Sequence, residues 1–315
     1  MNVPVWVWLA TVAAVAVLLT VDLLLAGRGE HDVSMREAGL SVTAYILLAV
    51  AFGIGVLLTF GGRHASEFFA GWLTEYSLSL DNLFVFVIIM GAFKVPQVNQ
   101  RNVLMVGIVL ALIFRGTFIA LGAQAIARFD WIFYFFGAFL VYTAYKLAFR
   151  KVDTGFQENA VLRLTKRVLP TTDDYHGTHL VVLQGGRRLV TPMLIVMVAI
   201  GSTDLLFALD SIPAIFGLTK EPYLVFTANA FALLGLRQLY FLIGGLLQRL
   251  VYLSLGLSVI LAFIGVKLIL EALHGSGVSW APTIPVLVSL GVILAVLVVT
   301  TVASLAKGDR RSRDA

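Results

Sequence analysis

Apolar residues along this chain gather in long blocks instead of alternating with polar ones. Nine stretches of mostly apolar residues, at about 5–25, 41–60, 67–91, 103–125, 131–149, 193–217, 224–247, 250–271 and 284–306, follow one another with short polar breaks. A run of roughly 20 such residues crosses the hydrocarbon core as a helix. The pattern predicts an all-α polytopic membrane protein, one transmembrane domain over 1–315 with nine transmembrane helices. Met1–Pro4 carries no Lys or Arg and the first run outlasts a signal-peptide core, so it reads as a retained helix.

One long polar interval, 150–191, interrupts the series. In Gln157–Leu169, Val161, Leu162, Leu164, Val168 and Leu169 recur at helical spacing among Arg163, Lys166 and Arg167. That suits an amphipathic helix on the inner leaflet. Thr178–Val190 then places two short β-prone runs about Gly185 and Gly186 and predicts a small hairpin. The loop also offers a docking surface to other membrane proteins. Asp173, Asp174, His176 and His179 have the chemistry of a metal sensor, although turn and cap roles in a polar linker are the favoured reading.

Composition agrees with the blocks. Hydrophobic residues make up 59% and charged ones 13%, with a mean hydropathy of +0.94, well beyond the apolar share of a soluble domain. With no cysteine, thiolate metal sites, iron–sulfur clusters and thiol nucleophiles are excluded. The net charge of +5 fits cytoplasmic loops facing anionic lipid, and nucleic acid is not expected as a partner. Placing the N-terminus outside puts 17 of the 23 Lys and Arg in inner segments, leaves Arg63, Arg128 and Lys220 outside, and leaves Arg115, Arg237 and Lys267 within spans. The expectation is N-out and C-in, in the cell membrane.

The chemistry must lie with polar groups inside the spans, where an ionised side chain costs on the order of 3 kcal/mol at the bilayer centre. The third span carries Glu75, Ser79, Asp81 and Asn82, and the sixth carries Thr203, Asp204, Asp210 and Ser211. Each has an acid, five residues, an acid preceded by Leu, then a small polar residue. The echo continues with Arg115 against Arg237 and Lys146 against Lys267, the separation from Arg to Lys being 31 residues in the first unit and 30 in the second. Spans three to five and six to eight therefore read as a duplicated unit. With the third span running inward and the sixth outward, the 3+3 repeat is inverted, as in alternating-access transporters. Acids that merely lock the bundle are the plain alternative.

Carboxylates with Asn82, Ser79, Ser211 and Thr203 form an all-oxygen set suited to hard divalent cations such as Mn²⁺, Mg²⁺ or Ca²⁺. Four acids offset by Arg115 and Arg237 leave two negative charges for one such ion. Metal and protons would compete for these carboxylates, so protons are the expected counter-substrate, with no bound cofactor. Pro213 removes a helix donor just beyond Asp210 and predicts a kink there. Inversion predicts two layers of pairs, Glu75 level with Asp210 and Asp81 level with Asp204, with both arginines close by. Asp22 suits an interfacial or gating role, and Asn229 an orienting or purely cross-helix one. An intramembrane aspartyl protease is disfavoured by the absence of Gly-x-Gly-Asp, so no enzyme is expected. An accessory or scaffold protein and an amino-acid exporter are the rival functions.

The segments EYSLSLDNLFVF (75–86), LPTTDDYHG (169–177), GGRRLVTP (185–192), TDLLFALDSIPAIFGLT (203–219) and ANAFALLGLRQLYFL (228–242) resemble the TerC/Alx family of integral membrane proteins, within the wider LysE-type transporters. The resemblance covers about residues 5–270. It implies export of Mn²⁺, tellurite resistance being associated by name, with Glu75, Asp81, Asn82, Asp204, Asp210 and Ser211 as the functional set. One position departs: many members have an acid three residues before the first acid of the sixth span, where this chain has Gly201.

Overall fold

The computed structural model describes residues 1, 3–27, 35–129, 131–149, 159–172, 174–177, 179–184, 186–243, 252–278 and 280–313. Asp173 of the suggested loop sensor lies outside them. The helices are α1 (Val5–Gly27), α2 (Met35–Phe60), α3 (Gly62–Ala92), α4 (Gln97–Arg128), α5 (Ile132–Ala148), α6 (Ala160–Val168), α7 (Pro192–Phe216), α8 (Pro222–Leu233), α9 (Leu236–Ile243), α10 (Leu253–Gly275) and α11 (Val286–Arg313). A hairpin of β1 (Val181–Gln184) and β2 (Arg187–Val190) stands between α6 and α7. The chain is thus a mostly helical, polytopic membrane protein.

Among the described residues seven helices, α1–α4, α7, α10 and α11, are long and apolar enough to cross a membrane. α5 and α8 are apolar but shorter, and α5, at 17 residues, reaches only about 25 Å at 1.5 Å per residue. The seventh sequence run, expected as one helix over 224–247, is broken. Leu234 is extended and Gly235 adopts φ +83°, a left-handed conformation natural to glycine. A Cβ at Gly235 would stand 2.8 Å from the Tyr45 ring, so the break and the packing of α2 both require glycine there. α7 runs through Pro213 and ends one turn later.

The most extensive interface joins α5 to α10, followed by α3 on α8 and α4 on α7. At the α5–α10 contact a Cβ on Gly137 would lie 2.7 Å from the Gly265 carbonyl oxygen, and one on Gly265 would lie 2.8 Å from that of Gly137. Small residues let two backbones touch where lipid gives no hydrophobic incentive for helices to associate. α1 and α11 lie at the periphery and leave Val5, Leu9, Val298, Val299 and Val302 exposed.

Both loop elements form as the sequence pattern predicts. Asn159 caps α6 by accepting from the Leu162 N–H (2.9 Å) and donates to Ser202 of α7 (2.8 Å). Leu162 is fully buried, whereas Val161, Leu164 and Val168 are exposed. The hairpin pairs Val181 with Val190 through Gln184 with Arg187. The segment between them docks back on the helices: Tyr175 donates to the Phe93 carbonyl (2.9 Å) and Asn99 to that of Gly177 (3.1 Å). Burial raises the Tyr175 phenol above its usual range.

Candidate functional site

α3 packs on α7, and each contributes an acid that is fully or nearly fully buried, Glu75 from α3 and Asp204 from α7. Arg115, from the middle of α4, lies across both. Its Nη1 contacts Glu75 Oε1, and its Nη2 stands 3.5 Å from Asp204 Oδ1. All three side chains are at most 3% exposed. Asn82 completes the group: in the amide orientation that satisfies its neighbours, it donates to the Leu78 carbonyl (3.1 Å) and accepts from Arg115 Nη2 (3.3 Å).

Helical spacing explains which side chains join these acids. Four and seven residues beyond Glu75 stand Ser79 and Asn82, and four and seven beyond Asp204 stand Ala208 and Ser211, all buried. Positions i, i+4 and i+7 share one helix face, so each helix offers a stripe with its acid at one end. Apart from Glu75 Oε1, which meets Arg115, the outer oxygens Glu75 Oε2 and Asp204 Oδ2 and the Ser79 and Ser211 hydroxyls make no hydrogen bond among the described residues. Buried oxygens left without a donor are costly unless an ion or water fills the gap, and oxygen is the donor type that hard cations take. The preceding threonines do not add to it. Thr74 and Thr203 turn back to the Ala70 and Ala199 carbonyls at 2.8 and 2.7 Å, a local bond open to any threonine in a helix.

The second acid of each helix faces elsewhere. Asp81 Oδ1 accepts from Ser254 Oγ of α10 (2.8 Å), and Asp210 Oδ1 from Thr143 Oγ1 of α5 (3.1 Å) with Lys146 nearby. The expected layers of Glu75 with Asp210 and Asp81 with Asp204 are therefore not what the structure brings together. Six residues carry a side chain about 120° round the helix and about 9 Å along it, so only the first acid of each helix reaches the meeting point. Among the described residues no three His, Asp or Glu side chains gather closely enough to hold a metal, and this applies to His176 and His179 as well.

Arg237 also departs from expectation. It binds Asp22 of α1 (2.9 Å), which Gln238 and Tyr45 reach too. The break at Gly235 starts α9 afresh and turns Arg237 away from the central acids. Lys267, 1% exposed, pairs with Glu271 at 3.6 Å. Sequence reasoning missed Glu67, 4% exposed, whose oxygens take Arg63 (3.0 Å), His64 (3.2 Å) and Thr219 at the end of α7 (2.8 Å). Starting the third span at Gly62 instead of Glu67 would have marked this acid as intramembrane.

A bundle of apolar helices closed around buried carboxylates and a guanidinium defines a polytopic membrane protein with a polar centre. Residues 60–312 match the family described as Integral membrane protein TerC family, and the chain belongs to that family. It is 46% identical over 323 residues to an uncharacterized membrane protein of Mycobacterium tuberculosis (strain ATCC 25618 / H37Rv), covering 98% of this chain and 81% of the relative. It is 40% identical over 302 residues to an uncharacterized membrane protein of Myxococcus xanthus, covering 95% and 92%. It is 38% identical over 304 residues to the Escherichia coli (strain K12) protein named "Putative membrane-bound redox modulator Alx", covering 93% and 92%. No solved structure matches the chain significantly.

Proposed function

We propose that this protein is a secondary transporter of the cell membrane that exports a divalent metal cation, Mn²⁺ first among them, in exchange for protons by alternating access. The observation that carries the reading is the convergence of Glu75 and Asp204, at matching positions of the sequence echo, on one buried point with unsatisfied oxygens around it. Nine spans, N-out and C-in, are the topology proposed, with α3–α5 and α7–α10 as inverted halves. The packing supports this division: α3 on α8 and α7 on α4 are exchanged counterparts, as are the Asp81–Ser254 and Asp210–Thr143 bonds.

Glu75 and Asp204 bind the ion, with Ser79, Asn82 and Ser211 as further oxygen ligands. In this topology Asp81 lies toward the cytoplasm and Asp210 toward the outside, so each serves as a flanking station for ion or proton. With no cysteine, the chain has no thiol of its own to exchange, and on this reading any redox effect follows from the metal moved. The exposed apolar row of Val161, Leu164 and Val168 on α6 favours a second reading, an accessory protein that docks another membrane protein there.

Mn²⁺ uptake into inside-out vesicles decides between them. Transport is expected to exceed that of vesicles lacking the protein, to respond to an imposed pH gradient, and to fall to background in Glu75→Gln and Asp204→Asn. Wild-type uptake at background would overturn the transport reading, and uptake indifferent to the pH gradient would overturn the proton coupling.

A further inference from the structure

We propose that Arg115 is a built-in stand-in for the cargo: its guanidinium occupies the cation position between Glu75 and Asp204 when the site is empty, and withdraws when the metal arrives. The inference rests on the transport reading above and assigns a role within that site.

The geometry distinguishes a stand-in from a permanent lock. A guanidinium that locks two acids does so through forked, paired hydrogen bonds. Here each carboxylate meets the guanidinium through one oxygen, Glu75 Oε1 at Nη1 and Asp204 Oδ1 at 3.5 Å from Nη2, while Arg115 Nε and Asp204 Oδ2 make no hydrogen bond among the described residues. The guanidinium faces both carboxylates without saturating either. Other cations of the helices have other addresses: Arg237 on Asp22, Lys267 on Glu271 and Lys146 near Asp210. Arg237, the counterpart of Arg115 in the echo, does not share the task.

Charge then dictates exclusion. A divalent ion on the same carboxylate oxygens would face the guanidinium at contact distance in a low-dielectric interior, where like charges repel strongly. One cation must leave as the other enters. The Asn82 amide oxygen, 3.3 Å from Nη2, is a third oxygen that the guanidinium and the metal compete for. Once the metal has left, two bare carboxylates in the bilayer would be costly. Arg115 covers them, so the metal-free protein returns with the exchanged protons carried on the flanking Asp81 and Asp210.

The test separates binding, exchange and net flux in wild type, Arg115→Gln and Arg115→Lys, using Mn²⁺ itself. Equilibrium binding in detergent is expected to tighten about tenfold in Arg115→Gln, with Arg115→Lys between it and wild type. In proteoliposomes Arg115→Gln is expected to lose net Mn²⁺ flux by more than tenfold while exchange of internal for external Mn²⁺ stays measurable, because exchange never requires an empty site to return. Weaker binding in both variants marks Arg115 as a scaffold for the acids and overturns the proposal, as does parallel loss of exchange and net flux. Should the glutamine variant misfold, Arg115→Lys decides alone by the sign of its change in affinity. A wild type that binds but never transports Mn²⁺ removes the transport reading as well, an outcome separate from variants that behave as wild type.

Discussion

A charge within a bilayer-spanning helix persists only where a partner meets it, and the three cations inside the spans each have one. Arg237 with Asp22 is the most separable case, because it ties α1 to α9 away from the central acids. Removing one member of such a pair strands the other, at about 3–5 kcal/mol when fully buried. Arg237→Gln is therefore expected to lower the melting temperature in detergent. Adding Asp22→Asn should recover part of the loss, whereas strictly additive losses would show that the two side chains do not interact. The acids themselves were legible in the sequence, since each interrupts an apolar run. Their partners were not. Which of Glu75 and Asp81 meets Asp204 depends on where two helices touch, and six-residue spacing fixes only that both acids of one helix cannot be there.

At the scale of elements, periodicity located the helices, the amphipathic α6 and the hairpin, because each depends on local pattern and lipid-length runs. It did not reveal the break at Leu234–Gly235, because a single glycine inside an apolar run is common in membrane helices. Tyr45, distant in sequence, shows why this one is special. Gly235→Ala adds the strain of a left-handed alanine, about 1–2 kcal/mol, to a clash with that ring. Its thermal stability should fall measurably, and the double variant Gly235→Ala/Tyr45→Ala should regain part of it. The α5–α10 contact is stricter. A Cβ at Gly137 meets a backbone carbonyl that no rotamer change can move, so Gly137→Leu should force the helices apart and give aggregated or poorly folded protein on size-exclusion chromatography. A variant as stable as wild type would contradict the packing described.

At the scale of the whole molecule, the count of basic residues gave an orientation and the acids gave a centre, and the two combine into one mechanism only if the chain crosses the membrane as proposed. Cysteine-free sequence makes that checkable without background. A membrane-impermeant thiol reagent applied to intact cells should label Arg63→Cys and leave Leu183→Cys in the hairpin unlabelled until the cells are opened. The central claim is narrower: Glu75 and Asp204 together bind the exported ion. Its most direct measurement is Mn²⁺ binding to purified protein, followed by loss of the free-ion signal in electron paramagnetic resonance. Saturable binding is expected in the wild type, near background binding in Glu75→Gln/Asp204→Asn, and weakened but detectable binding in Asp81→Asn/Asp210→Asn. Binding that survives loss of the central pair, or vanishes only with the flanking one, would contradict the account.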